Sequence, residues 1–204
     1  PVVPLTGMDG SDGATDVPSS VLELFWGPTS AFKDVALQML PRLMARATGA
    51  PSTSADEASD TDSAPSPEKI MIVTATSGDT GKAALAGFAD APGCGITVFY
   101  PEGKVSHVQK LQMSTQEGAN VAVCGVRGNF DDAQSAVKRI FADSALAERL
   151  AERGVALSSA NSINIGRLVP QVVYYFAAYA QLMRAGTIQA GDEVEFCVPT
   201  GNFG

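Results

Sequence analysis

A chain of 204 residues with a hydrophobic fraction of 45% has room for one large domain or two small ones and for a buried core. Its net charge of −8, with Lys and Arg scattered, excludes a nucleic-acid partner, and no apolar run approaches the roughly 18 residues of a membrane span. A single histidine, with Cys94, Cys124 and Cys197 at no metal-ligand spacing, leaves no metal site and no His-based triad; the cysteines read as reduced core positions of a cytoplasmic protein.

Residues 1 to 20, rich in Gly, Asp and Ser, predict an irregular lead-in, and Val21 to Phe25 a short strand. Gly27-Pro28 then forces a turn before a helix-compatible run. Lys33 falls in the opening turn of that helix, with Thr29 or Ser30 as its cap. An amine kept from water loses part of its preference for charge, and a neutral amine forms a Schiff base with an aldehyde. On spacing alone, a solvated lysine paired with Asp34 is the ordinary reading. The helix carries Ala36, Leu37, Leu40, Leu43 and Met44 on one face, and Pro41 predicts a kink or a break.

Residues 49 to 68 hold acids, Ser, Thr, Pro and Ala but no basic or large apolar residue, so they read as a flexible acidic insert. From residue 69 strands and helices alternate: strand Ile70 to Ala75, helix Asp79 to Ala89, strand Ile96 to Tyr100, helix Ser106 to Glu117, strand Ala119 to Gly125. A helix with Phe130, Ala133, Val137, Ile140 and Phe141 on one stripe follows, then a strand at Val155 to Leu157. A long helix with Ile165, Leu168, Val172, Phe176, Tyr179 and Met183 on one face precedes a closing strand at Val194 to Val198. Such alternation means right-handed crossovers and an α/β fold, a parallel sheet flanked by helices. The chain has no initiator Met and stops where a glycine-rich loop should enter a helix, so we expect a segment of a longer, here incomplete, protein.

In open parallel sheets ligands bind beyond the carboxyl ends of the strands, where helix amides are free. Three polar stretches follow predicted strands there: Ser77-Gly78-Asp79-Thr80-Gly81, Ser158 to Asn164, and Thr200-Gly201-Asn202-Phe203-Gly204. Gly81-Lys82 is not part of a nucleotide P-loop, because Thr76 replaces the first required glycine and Ala83 the Ser or Thr. The first stretch reads on its own as a helix start capped by Ser77 or Asp79. Asn161 or Ser162 is an equally ordinary cap for the long helix, a role that Arg167 cannot share; its guanidinium suits a phosphate. Glycines in the last stretch permit the close approach that an anion nest requires. In Gly103 to Met113, Ser106 reads as a helix cap and Lys104 as added positive potential.

With Leu24 to Asp34, these stretches, in this order, resemble the threonine synthases, pyridoxal-phosphate enzymes of the tryptophan-synthase-β fold type, fold type II. The resemblance runs from about residue 22 to the end, interrupted only at 49 to 68. It implies pyridoxal 5'-phosphate as cofactor and Lys33 as the Schiff-base lysine that also moves protons. It further implies that Asp79, Gly201, Asn202, Phe203 and Gly204 contact the cofactor. Ser77, Gly78, Thr80, Gly81, Lys104, Asn161, Ser162, Asn164 and Arg167 would meet the substrate, O-phospho-L-homoserine, a small phosphorylated amino acid that is converted with water to L-threonine and phosphate. The implied domains are 1 to 48 in a large cofactor domain, 69 to 184 as a smaller α/β domain, and 185 to 204 returning to the large one. A threonine or serine dehydratase of the same fold type, and a non-catalytic cofactor- or phospho-ligand-binding homologue, are the alternative functions.

Overall fold

The computed structural model of the chain describes residues 1–5, 19–47, 69–162 and 164–199. The insert expected at 49 to 68 and the loop from Thr200 to Gly204 lie outside the described residues.

The lead-in is not wholly irregular. Strand β1 (Val2–Pro4) pairs antiparallel with β2 (Ser20–Leu22), Val3 opposite Val21, so the strand expected to reach Phe25 stops where its partner stops. Helix α1 (Asp34–Ala47) is continuous through Pro41, where a kink or a break was expected. Proline supplies no N–H to the Leu37 carbonyl one turn earlier. That carbonyl instead lies against Gly87, close enough that a Cβ on the glycine would overlap it, so neighbouring backbone packs where the bond is missing and the helix does not break.

The sheet is parallel, in the order β5-β4-β3-β6: β3 is Lys69–Ala75, β4 Cys94–Pro101, β5 Val121–Val126 and β6 Val155–Ser158. Between them run α2 (Asp79–Phe88), α3 (His107–Ser114), α4 (Phe130–Ala142) and α5 (Ser144–Ala151). The sequence reading did not separate α5. Asp143 starts it, its side chain accepting from the Leu146 amide at 2.9 Å. Alternation along β3 explains the layering: Ile72 enters one core with Leu37, Leu40, Leu85, Phe88, Ile96 and Val98, while Val73 and Ala75 enter another with Ala133 and Val137. Helices therefore cover both faces of the sheet, and α1 shares the first core.

At the amino ends of the strands Asn120 ties three elements. Its Nδ2 donates to the carbonyls of Phe88 (2.8 Å) and Cys94 (2.9 Å), and its Oδ1 accepts from the Asp90 amide at 2.7 Å.

The expected long helix after β6 is broken. A short α6 (Ile165–Leu168) and a 3-10 turn (Val169–Gln171) containing Pro170 lead into α7 (Val172–Arg184). The apolar face read from the sequence is also displaced: Ile165, Val172, Phe176 and Met183 are exposed, Phe176 at 74%, whereas Arg167, Pro170, Gln171, Tyr174 and Ala178 are buried. The 3-10 turn changes the phase of the helix, so one periodicity cannot run through it. Val194 to Val198 forms no strand, and of the cysteines only Cys94 is buried, Cys124 and Cys197 being exposed. Among the described residues no helix is long and apolar enough to cross a membrane.

Candidate active site

Lys33 is delivered by a turn rather than by the first turn of a helix. It immediately precedes α1, and the capping runs opposite to expectation: the Asp34 carboxylate accepts from the Thr29 amide (2.9 Å), the Thr29 hydroxyl (2.6 Å) and the Ala31 amide (3.4 Å). Gly27 is required there, because a Cβ would strike the Asp34 side chain. Asp34 is thus consumed by the turn, and the solvated Lys33–Asp34 pair does not exist. Lys33 is 5% exposed; its Nζ stands 4.0 Å from the Phe32 ring centroid, and no hydrogen bond or ion pair reaches it from the described residues. Burial pushes its pKa below the ordinary lysine value; the field of Asp79 opposes this, while Arg167 and Lys82 reinforce it.

The carboxyl end of β3 supplies the second wall. Neither Ser77 nor Asp79 caps α2: Gly78 occupies the cap position at φ +148° with no side-chain bond, and Ser77 is exposed. The turn is built around Thr76, a residue absent from the sequence reading of the site, whose buried Oγ1 accepts from the amides of Gly78 and Gly81, both at 2.9 Å. Those two amides are spent. The amides of Ser77, Asp79 and Thr80 are left as the open donors of the turn among the described residues. Asp79 accepts from Gln109 Nε2 at 2.8 Å and pairs with Lys82 Nζ at 3.2 Å. Burial would raise its pKa, but these two partners and Lys33 hold it below the usual value, so it is a carboxylate.

The third wall follows β6. Asn161 Nδ2 donates to the Ala75 carbonyl at 3.0 Å, which ties this loop to the end of β3. Asn164, not Asn161 or Ser162, caps α6: its Oδ1 accepts from the Gly166 amide at 2.9 Å and its Nδ2 donates to the Ser159 carbonyl at 2.9 Å. Ser162 is exposed. Arg167 is 2% exposed and donates through one terminal nitrogen to the Ala160 carbonyl at 2.9 Å, but its Nε is buried without a partner among the described residues. A buried guanidinium nitrogen with nothing to donate to is costly unless something arrives to accept.

Helix α3 closes the arrangement with two residues that sequence reasoning missed. Ser106 caps it as expected, in a capping box with Gln109, and Gln109 also reaches Asp79. Gln112, one turn on, donates to the Thr29 carbonyl at 3.4 Å, and its Oε1 is buried without a partner among the described residues. The Ser-x-x-Gln spacing was a readable cap signal, and Lys82, three residues after Asp79, was a readable helical pair. Lys104 and His107 are exposed. The site therefore brings the Lys33 amine together with one carboxylate, Asp79, and two cations, Lys82 and Arg167, with free amides beside them. Such a set favours an anion and holds an amine shifted toward its neutral, nucleophilic form. Gly201, Asn202, Phe203 and Gly204 lie outside the described residues, and among those described no cluster of His, Cys, Asp or Glu could hold a metal.

No protein-family model matches the chain. Among curated proteins it is 44% identical over 190 residues to threonine synthase-like 1 from Homo sapiens, covering 90% of this chain and 23% of that one. It is 40% identical over 203 residues to threonine synthase from Pseudomonas aeruginosa, covering 100% of this chain and 36% of that one. Among solved structures, the pyridoxal-phosphate-bound threonine synthase of Brucella melitensis matches with a TM-score of 0.64 and 42% identity, over 80% of this chain and 31% of that one. The architecture is that of fold type II pyridoxal-phosphate enzymes. Within that class the chain is homologous, over the segment it spans, to the threonine synthases. It spans between 23% and 36% of the length of the two curated relatives named above.

Proposed function

We propose that this chain carries the lysine-bearing part of a cytoplasmic threonine synthase, which converts O-phospho-L-homoserine and water to L-threonine and phosphate with pyridoxal phosphate as cofactor. The observation that carries the reading is the Lys33 amine, buried, bonded to no described residue and shifted toward its neutral form beside Asp79, Lys82 and Arg167. These residues fit an anionic aldehyde: an amine shifted toward neutrality for its carbon, cations for its charge, and a buried Nε on Arg167 that lacks an acceptor among the described residues. Lys33 and Asp79 would hold the cofactor, together with Gly201 to Gly204.

Pyridoxal phosphate bound at Lys33 supplies an electron sink that makes protons on the substrate's α and β carbons removable. In its neutral form the Lys33 amine takes such a proton and returns it, and burial, by lowering its pKa, shifts the amine toward that form. The open amides of Ser77, Asp79 and Thr80 orient the substrate carboxylate. Arg167 faces the phosphate that leaves from the γ carbon, and its buried setting strengthens that contact. A dehydratase has no substrate phosphate for this arginine to meet.

The test uses the full polypeptide that carries this sequence. Borohydride reduction after incubation with pyridoxal phosphate should leave a pyridoxyl group on Lys33, located by peptide mass, and O-phosphohomoserine should release phosphate. Lys33→Ala should abolish both. Modification at Lys33 without phosphate release from O-phosphohomoserine would favour the non-catalytic homologue. No modification at Lys33 would sink the enzyme reading altogether.

A further inference from the structure

Asp79 is gripped by one oxygen only. Its Oδ1 accepts from Gln109 Nε2 at 2.8 Å and pairs with Lys82 Nζ at 3.2 Å, while no described residue bonds Oδ2. Both gripping groups are themselves fixed. Gln109 Oε1 accepts from the Ser106 amide at 3.2 Å within the α3 capping box, so its amide cannot turn without losing both bonds. Lys82 is buried, its side chain 9% exposed, whereas the Asp79 side chain is 43% exposed. An ordinary pair at this spacing on a solvated helix face places both charges in water and contributes a few tenths of a kcal/mol. Here the cation has left the water and the anion has not. Burial of Lys82 makes sense if Asp79 must be anchored from behind and open in front.

We propose that Lys82 and Gln109 are positioning residues that clamp Oδ1 of Asp79 and so present Oδ2 as the acceptor for a hydroxyl or ammonium donor of the ligand bound beside Lys33. This rests on the reading of Lys33 and Asp79 as ligand-binding residues. A carboxylate only accepts hydrogen bonds, so a clamped and ionised Asp79 selects a donor, which an asparagine in its place would not do. Lys82 also acts on Lys33 through space. The charged groups that face the Lys33 amine are Asp79 and Lys82 from α2 and Arg167 from α6, and the loss of Lys82 removes one cation that disfavours the protonated amine.

The test compares Lys82→Met, Lys82→Arg, Asp79→Asn and the Lys82→Met/Asp79→Asn double variant in the full polypeptide. It has two readouts: the affinity for pyridoxal phosphate, from its absorbance, and the pH midpoint at which a small neutral acylating reagent labels Lys33 without cofactor, from peptide mass. Lys82→Met should weaken pyridoxal phosphate binding about ten-fold and move the Lys33 midpoint upward, as removal of a like charge requires. Lys82→Arg should restore both, and in the Asp79→Asn background Lys82→Met should weaken binding by less than about two-fold. Unchanged affinity in Lys82→Met, or a full loss that persists with Asp79→Asn, overturns the clamp. If Lys82→Met loses its far-ultraviolet dichroism, Lys82→Gln takes its place in the same comparison. Failure of the unsubstituted protein to take pyridoxal phosphate on Lys33 is a separate result: it removes the site reading, and the clamp with it.

Discussion

Burial of the Lys33 amine, opposed by the field of Asp79 and reinforced by Arg167 and Lys82, makes the folded chain hold this proton less tightly than the unfolded chain does. Stability therefore rises with pH between the folded value and the unfolded one, near about 10.4. Lys33→Met should then raise the melting temperature. The increment should be greatest at pH values below the folded pKa, shrink as pH climbs through it, and vanish above the unfolded value; calorimetric scans from pH 6 to 10 would show it. An increment that grows with pH would mean that the amine is stabilised by its charge in the folded state. Lys33 stood out in the sequence because its stretch and three others together resemble the threonine synthases, yet its isolation did not. That isolation depends on Asp34 facing Thr29 and Ala31, a choice between two neighbours of a carboxylate that no spacing rule makes. Thr76 was illegible for a similar reason: a threonine at the end of an apolar strand looks like any β-branched strand residue until its hydroxyl is seen to gather two amides.

Elements were readable where one periodicity governed a whole segment. Strands β3 and β4 and helices α2 and α4 came close to their expected limits because each buries a regular face. The reading lost accuracy wherever a neighbour decides. Pro41 signalled a kink or a break, and no break occurs: α1 continues through it with Gly87 packed against the Leu37 carbonyl. That contact yields a test. Gly87→Ala gains helix propensity of about 1 kcal/mol but drives a methyl into the backbone of α1, and overpacking of this kind costs about 1 to 3 kcal/mol. We expect net destabilisation, measured as a lower urea midpoint. A stabilised Gly87→Ala variant would show that the two helices are free to separate. The run from Ile165 to Met183 misled for the opposite reason: a continuous apolar stripe looks like one helix, and Pro170 with its 3-10 turn resets the phase so that the stripe faces outward.

At the scale of the molecule, β3 and β4 are the inner strands and β5 and β6 the edges, and both cores meet on β3. Amides of Ile72, Val73, Ile96 and Val98 should accordingly show the slowest hydrogen exchange, while β1, a three-residue strand, should exchange early. Slower exchange in β1 than in β3 would contradict this order of stability. The α/β class and the place of the site at the carboxyl ends of the strands followed from alternation alone, because parallel strands require crossovers and crossovers leave helix amides at that end. The meeting of these four ionisable groups did not follow, since Lys33, Asp79, Lys82 and Arg167 come from three separate segments. The opposite rim has a practical use. Asn120 joins the end of α2, the start of β4 and the Asp90 turn, and Asp90 is exposed. A fluorophore attached in that turn would report on global unfolding from the far side of the sheet, so that the stability of a variant could be read separately from what its site binds.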